Sequence, residues 1–338
     1  MSEVPTDAIV RSDALVFPVR EADGALMVGF PNGTAHTLHQ NALRQASGRA
    51  GAPAGYVDEL ASGEAWQREL ASEILSRSFA RLPGRNLVRS VNGQARAVLS
   101  DRFRRLDSRP IVDAFIGEID RAGGVPYDAH VTDVRVHFKA LLPTVREIPV
   151  ALANGQTGSE FMAFGLEGSN SDYGVGSFSI RAFMLRLVCT NGATVEDAMR
   201  QVHLVGRLTD DITFSEATYR KDTQATVSAL RDVVRAQLGP ARIDTLVNQI
   251  RKAGEQPIEW ARLKTRLANA LTKDELRQAG ETFEGQDMIN VPAGNTAWRA
   301  SNAISWIANG AKVAPERKLE LEKLAGGLLL GKVVVEAA

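Results

Sequence analysis

Asn92-Gly93 is the dipeptide best suited to the two positive φ angles of a type I′ turn, and alternating runs at 86–91 and 94–99 flank it. A two-residue connection of that kind forces the flanking runs to pair antiparallel, so an all-helical fold is excluded. Upstream, apolar runs at 14–19 and 26–30 surround a turn at 21–24, and a short strand is expected at 36–39. A helix is expected at 41–46 and a flexible stretch at 48–55. Another helix spans 64–79, with Trp66, Leu70, Ile74 and Leu75 on one face and Pro83-Gly84 as its stop.

Ser108 with Pro110 predicts a helix start, Gly123-Gly124 its end, and Phe115 and Ile119 fall on one face. Residues 130–188 read mostly as strand, with candidates at 131–141, 148–152, 161–166 and 178–188 and an irregular glycine-rich loop at 168–176. From Thr213, whose spacing to Glu216 fits a capping box, the pattern turns helical. Val227, Leu230, Val234 and Leu238 recur at helical spacing, and further helices are expected at 243–253, 258–271, 273–283, 296–308 and 315–324. The expected fold is α+β: a mixed or antiparallel sheet with hairpins and packed helices over residues 1–210, then an all-helical part over 211–338.

Charge is distributed unevenly although the 40 basic and 40 acidic residues cancel. Between Arg77 and Arg109, nine arginines face only Asp101 and Asp107, while residues 1–76 carry ten acidic groups against five basic ones. Arginine binds phosphate bidentately and stacks on bases, so this block fits a nucleic-acid surface. It equally fits a solvated face, or internal ion pairs with the acidic N-terminal part. The candidate contacts are Arg85, Arg89, Arg96, Arg102, Arg104, Arg105 and Arg109. Phe103 and Tyr173 have polar or charged neighbours and join them as aromatic platforms, whereas Phe138 and Phe178 read as core.

Catalytic signatures are not readable. His36 and His39 lack accompanying ligands, His130 and His137 fall on opposite faces if they share one strand, and His203 stands alone, so no metal site is assigned. The loop at 165–176 lacks the GK[ST] ending of a phosphate-binding loop and runs into a strand, so no cofactor is expected. Cys189, the single cysteine, follows an apolar run and reads as a buried thiol. No apolar stretch is long enough to span a bilayer, and residues 1–9 lack an export signal, so a cytoplasmic location is expected.

Three segments carry a family resemblance. The first is Arg96-Ala97-Val98-Leu99-Ser100-Asp101-Arg102-Phe103-Arg104-Arg105-Leu106. The second is Ser169-Asn170-Ser171-Asp172-Tyr173-Gly174 leading to Arg186-Leu187-Val188-Cys189-Thr190-Asn191-Gly192. The third is Asn295-Thr296-Ala297-Trp298 with Asn302-Ala303-Ile304. In that order they resemble the phage- and plasmid-borne family of unknown function called phage/plasmid-like protein. The resemblance implies a mobile genetic element and DNA or RNA as partner; with the arginine block and the aromatic candidates, the expected partner is DNA, single-stranded by preference. The expected activity is single-strand binding or annealing by a homo-oligomer, which needs a basic groove and no catalyst. An anti-restriction or host-interaction protein with a host protein partner is the alternative. A nuclease using Asp101, Asp172, Asp210 and Asp211 ranks last.

Overall fold

In the computed structural model, residues 5–151, 157–187, 191–201, 215–285, 292–310 and 312–332 are described. The first sheet is built from β1 (Thr6–Arg11), β2 (Met27–Gly29) and β3 (Ala35–Leu38), then, after helices α1 (Gln40–Arg49), α2 (Ala54–Ser62) and α3 (Ala65–Phe79), from β4 (Arg85–Val91) and β5 (Gln94–Ser100). The strand order is β1-β4-β5-β3-β2. The expected hairpin is its centre: Asn92 and Gly93 have φ of 50° and 74°, as a type I′ turn requires. Val88 and Val98, opposite each other across the hairpin, pack with Leu75 and Phe79 of α3 and with Phe17, whose ring meets Phe79 edge-on at 4.7 Å. The buried stripe of α3 is Ala71, Leu75 and Phe79, and Trp66 is exposed, which corrects the expected face. Strand β1 and helix α2 were not legible.

The second sheet follows α4 (Ser108–Arg121). It is an antiparallel meander of β6 (Val125–Val131), β7 (Val136–Ala151), β8 (Thr157–Asn170), β9 (Phe178–Arg186) and β10 (Asn191–Gln201). The run expected as one strand at 131–141 is broken by a turn at 132–135. His130 and His137 are therefore cross-strand partners on one face, not residues on opposite faces. Phe138, Ala140, Phe164, Leu166, Ile180, Ala182 and Met184 line the opposite face. At one end α4 and α5 (Glu216–Gln237) cover it through Ile111, Phe115, Ile119, Leu230 and Val234. The other end is covered by α6 (Pro240–Glu255), α7 (Trp260–Leu267), α8 (Lys273–Glu284) and α9 (Ala297–Ala308).

Helix α10 (Pro315–Leu329) lies against β10, so closely that a Cβ on Gly326 would come within 2.0 Å of the Thr194 carbonyl oxygen. The fold is α+β, as expected. One apolar cluster joins residues of β7–β10 to α6–α10, so the helices after residue 210 share their core with the second sheet. The first sheet keeps its own core, from Leu15 to Val98. Among the described residues no helix is long and apolar enough to cross a membrane. His203, Asp210, Asp211, Thr213 and Cys189 lie outside the described residues.

His137 carries a measurable consequence of this layering. It is buried, its Nδ1 has no hydrogen-bond partner among the described residues, and burial followed by the charges of Arg135 and Lys323 pushes its pKa down to about 3 from 6.5. The folded state keeps His137 neutral where the unfolded chain takes up a proton, so its contribution is complete above pH 6.5 and is lost as pH falls toward 3. Urea denaturation should show stability falling by up to about 1.4 kcal/mol per pH unit below pH 6.5. In His137→Phe the loss at pH 5 should be about 2 kcal/mol smaller. Equal pH dependence in both proteins would refute a neutral buried His137.

Candidate anion-binding cleft

Most of the arginine block is turned inward. Arg89, 2% exposed, donates to Asp7 at 2.7 Å, to Asp107 at 2.8 Å and to the Asp172 carbonyl at 2.8 Å. Arg104 forms a two-pronged pair with Asp222 of α5 at 2.5 and 2.6 Å. Arg105 reaches Asp7 at 3.3 Å and lies 4.2 Å from the Tyr219 ring centroid. These three buried arginines tie β4 and the segment before α4 to β1 and α5, which removes them from any phosphate-binding surface. Arg89 and Arg105 meet the expectation of internal ion pairs with the acidic N-terminal part through Asp7, whereas the partner of Arg104 lies in α5. Arg85 is half-buried, 3.4 Å from Asp101, and Arg102 is exposed. Neither lines the cleft described below.

The glycine-rich loop is a fastener between the two sheets. Asp172 accepts the Ser108 N–H at 2.7 Å and its hydroxyl at 2.5 Å, so the start of α4 is capped from another element and not by Asp107. Burial raises the Asp172 pKa against the pull of the Ser108 hydrogen bonds. Asn41 and Gln45 of α1 donate to the Tyr173 carbonyl at 3.1 and 2.8 Å, and Ser171 donates to the Val134 carbonyl at 2.7 Å. Tyr173 itself is buried with Val91 and Ala97, and Phe103 is half-buried beside Gly174. The expectation that these two rings serve as exposed stacking platforms is corrected: they pack the seam.

Where the hairpin tip, the first turn of α4 and the β6–β7 turn approach one another, they enclose a cleft of about 720 Å³. Its lining includes three arginines: Arg96 from β5, Arg109 from α4 and Arg135 from the turn. Arg109 is well exposed, with Asp113 4.0 Å away. Arg96 donates to the Asp133 carbonyl at 2.8 Å, and its Nε is buried without a partner among the described residues. Arg135 donates to the Ser169 hydroxyl at 2.9 Å, and no carboxylate lies within 4 Å of it among the described residues. Burial, followed by the nearby charge of Arg181, pushes the Arg135 pKa down, and Glu167 and Glu316 oppose that shift without cancelling it.

Of the residues expected to contact nucleic acid, the cleft brings together Arg96, Arg109 and Tyr173. Arg135 was not among them. It lies outside the arginine block, and reading 131–141 as one strand hid the Thr132-Asp133-Val134-Arg135 turn that carries it. Among the described residues no group of three His, Cys, Asp or Glu side chains is placed to hold a metal ion. No protein-family model, curated protein or solved structure matches the chain.

Proposed function

We propose that the protein binds single-stranded DNA along the cleft between its two sheets, as a homo-oligomeric single-strand binding or annealing protein of a mobile genetic element. The observation that carries this reading is the convergence of three arginines on the lining of one open cleft, of which Arg135 is half-buried with a hydroxyl as its hydrogen-bond partner. Such a group is stabilised by an anion from outside. Arg96 and Arg109 give the same cleft two more cations, as a groove that tracks a nucleic-acid backbone requires. Strand β6 supports assembly. Among the described residues it is the outer strand of its sheet, paired with β7 alone, and it exposes Val125, Tyr127 and Val131. An open apolar edge of this kind is a template for pairing with another chain.

Fluorescence anisotropy with labelled single-stranded and duplex oligonucleotides, run beside light scattering for mass, tests the reading. Single strands are expected to bind more tightly than duplex, with affinity falling steeply with salt. Arg135→Ala and Arg109→Ala should each flatten the slope of log affinity against log salt by roughly 0.7, the value for one lost phosphate contact on a single strand. No binding to either oligonucleotide at low salt would overturn the proposal and favour a protein partner.

A further inference from the structure

The mouth of the cleft is bridged from one sheet to the other. The turn between β6 and β7 is held by Thr132, whose backbone N–H donates to the Arg135 carbonyl at 2.8 Å and whose hydroxyl accepts from the Arg135 N–H at 3.0 Å. This fixes Asp133 at the tip, opposite β5. Its carbonyl accepts from Arg96, while its carboxylate stands 3.8 Å from the Arg96 Nη2 and 3.8 Å from the His39 Nε2. Both separations exceed the 2.7–2.9 Å of a charge-assisted hydrogen bond. The Asp133 side chain is 67% exposed, so its hold on Arg96 is a screened Coulombic contact that a better-placed anion can displace. Arg96, only a quarter exposed and with an unpartnered Nε, retains hydrogen-bonding capacity that Asp133 does not use.

We infer that Asp133 is a built-in competitor for the cleft. Its carboxylate occupies the position of a phosphate on Arg96 in the free protein and yields when a nucleic-acid backbone enters. The inference rests on the cleft being the single-strand site. It gives the interaction a threshold: short or sparsely charged anions leave the Asp133 contact closed, and a strand that also engages Arg109 and Arg135 opens it. In this arrangement the weak contact costs little affinity for the right ligand and discriminates against others.

The test compares the wild-type protein with Asp133→Asn, Arg96→Ala and the double variant, using a fluorescein-labelled oligothymidylate at low salt. Asp133 lies at an exposed turn and its asparagine variant keeps the backbone carbonyl contact, so folding is preserved; circular dichroism checks each variant. Asp133→Asn should bind about threefold to tenfold more tightly, and that gain should disappear when Arg96 is already alanine. A gain that persists without Arg96 would show a general effect of removing negative charge and would overturn the inference. Unchanged affinity in Asp133→Asn would overturn it too, while leaving the single-strand reading standing. Failure of both wild type and Asp133→Asn to bind would remove the reading and the inference together.

Discussion

Replacing Arg89 by methionine should lower the free energy of unfolding by about 3–5 kcal/mol, read as a shift of the urea midpoint at constant slope. Methionine fills much of the volume and takes a donor from three acceptors: the carboxylate of Asp7, which keeps Arg105 at 3.3 Å, the carboxylate of Asp107 and the carbonyl of Asp172. Burial works against the Arg89 charge, but Asp107 and Asp7 outweigh it and raise its pKa. The group is therefore committed to the fold. Lysine should not rescue the position, because one ammonium cannot reproduce a planar fork addressed to β1, the start of α4 and the loop after β8 at once. Arg109→Ala, at an exposed site in the same arginine block, should change stability by no more than about 0.5 kcal/mol. If the two variants were equally stable, the division of the block into structural and ligand-facing arginines would fail.

That division shows what a linear sequence can and cannot carry. The hairpin was legible because Asn92-Gly93 encodes its turn within two residues. The helices after residue 215 were legible because periodicity and caps are local signals, and α6, α8, α9 and α10 lie within a few residues of where they were expected. Strand β1 escaped because Thr6–Arg11 is a half-exposed edge strand with no turn signal beside it. Among the arginines, side-chain type could not separate the cleft from the seam. What separates Arg89 from Arg109 is whether Asp7, 82 positions away, meets it in space. Arg104 was equally opaque, since its partner Asp222 is 118 residues distant. Arg135, the third arginine of the cleft lining, stands outside the charge block altogether.

The second large effect is expected at Lys139, on the face of the second sheet that α10 covers. Its ammonium lies 2.5 Å from Glu322 of α10, 3.9 Å from Glu167 of β8 and 4.6 Å from the Phe183 ring centroid, with all three charged groups buried. Glu167 has further partners in Arg181 at 3.3 Å and Thr194 at 2.7 Å. Lys139→Met should therefore strand Glu322 above all, at a cost of about 3–5 kcal/mol at neutral pH. Burial already raises the Glu322 pKa, and Lys139 pulls it down, so removing the lysine raises it further. A carboxyl group whose folded pKa lies above its unfolded value costs stability above that folded pKa, and the cost disappears as pH falls through it. The deficit of Lys139→Met relative to wild type should thus be largest at pH 7 and shrink on acidification, opposite in sign to the His137 effect on the same face. Changing Glu322 to leucine in the same variant should recover most of the loss, because an apolar pair of similar volume avoids the desolvation that the ion pair offsets. A deficit independent of pH and unrelieved by Glu322→Leu would mean that Lys139 holds α10 by packing over Phe183 rather than by neutralising the carboxylate.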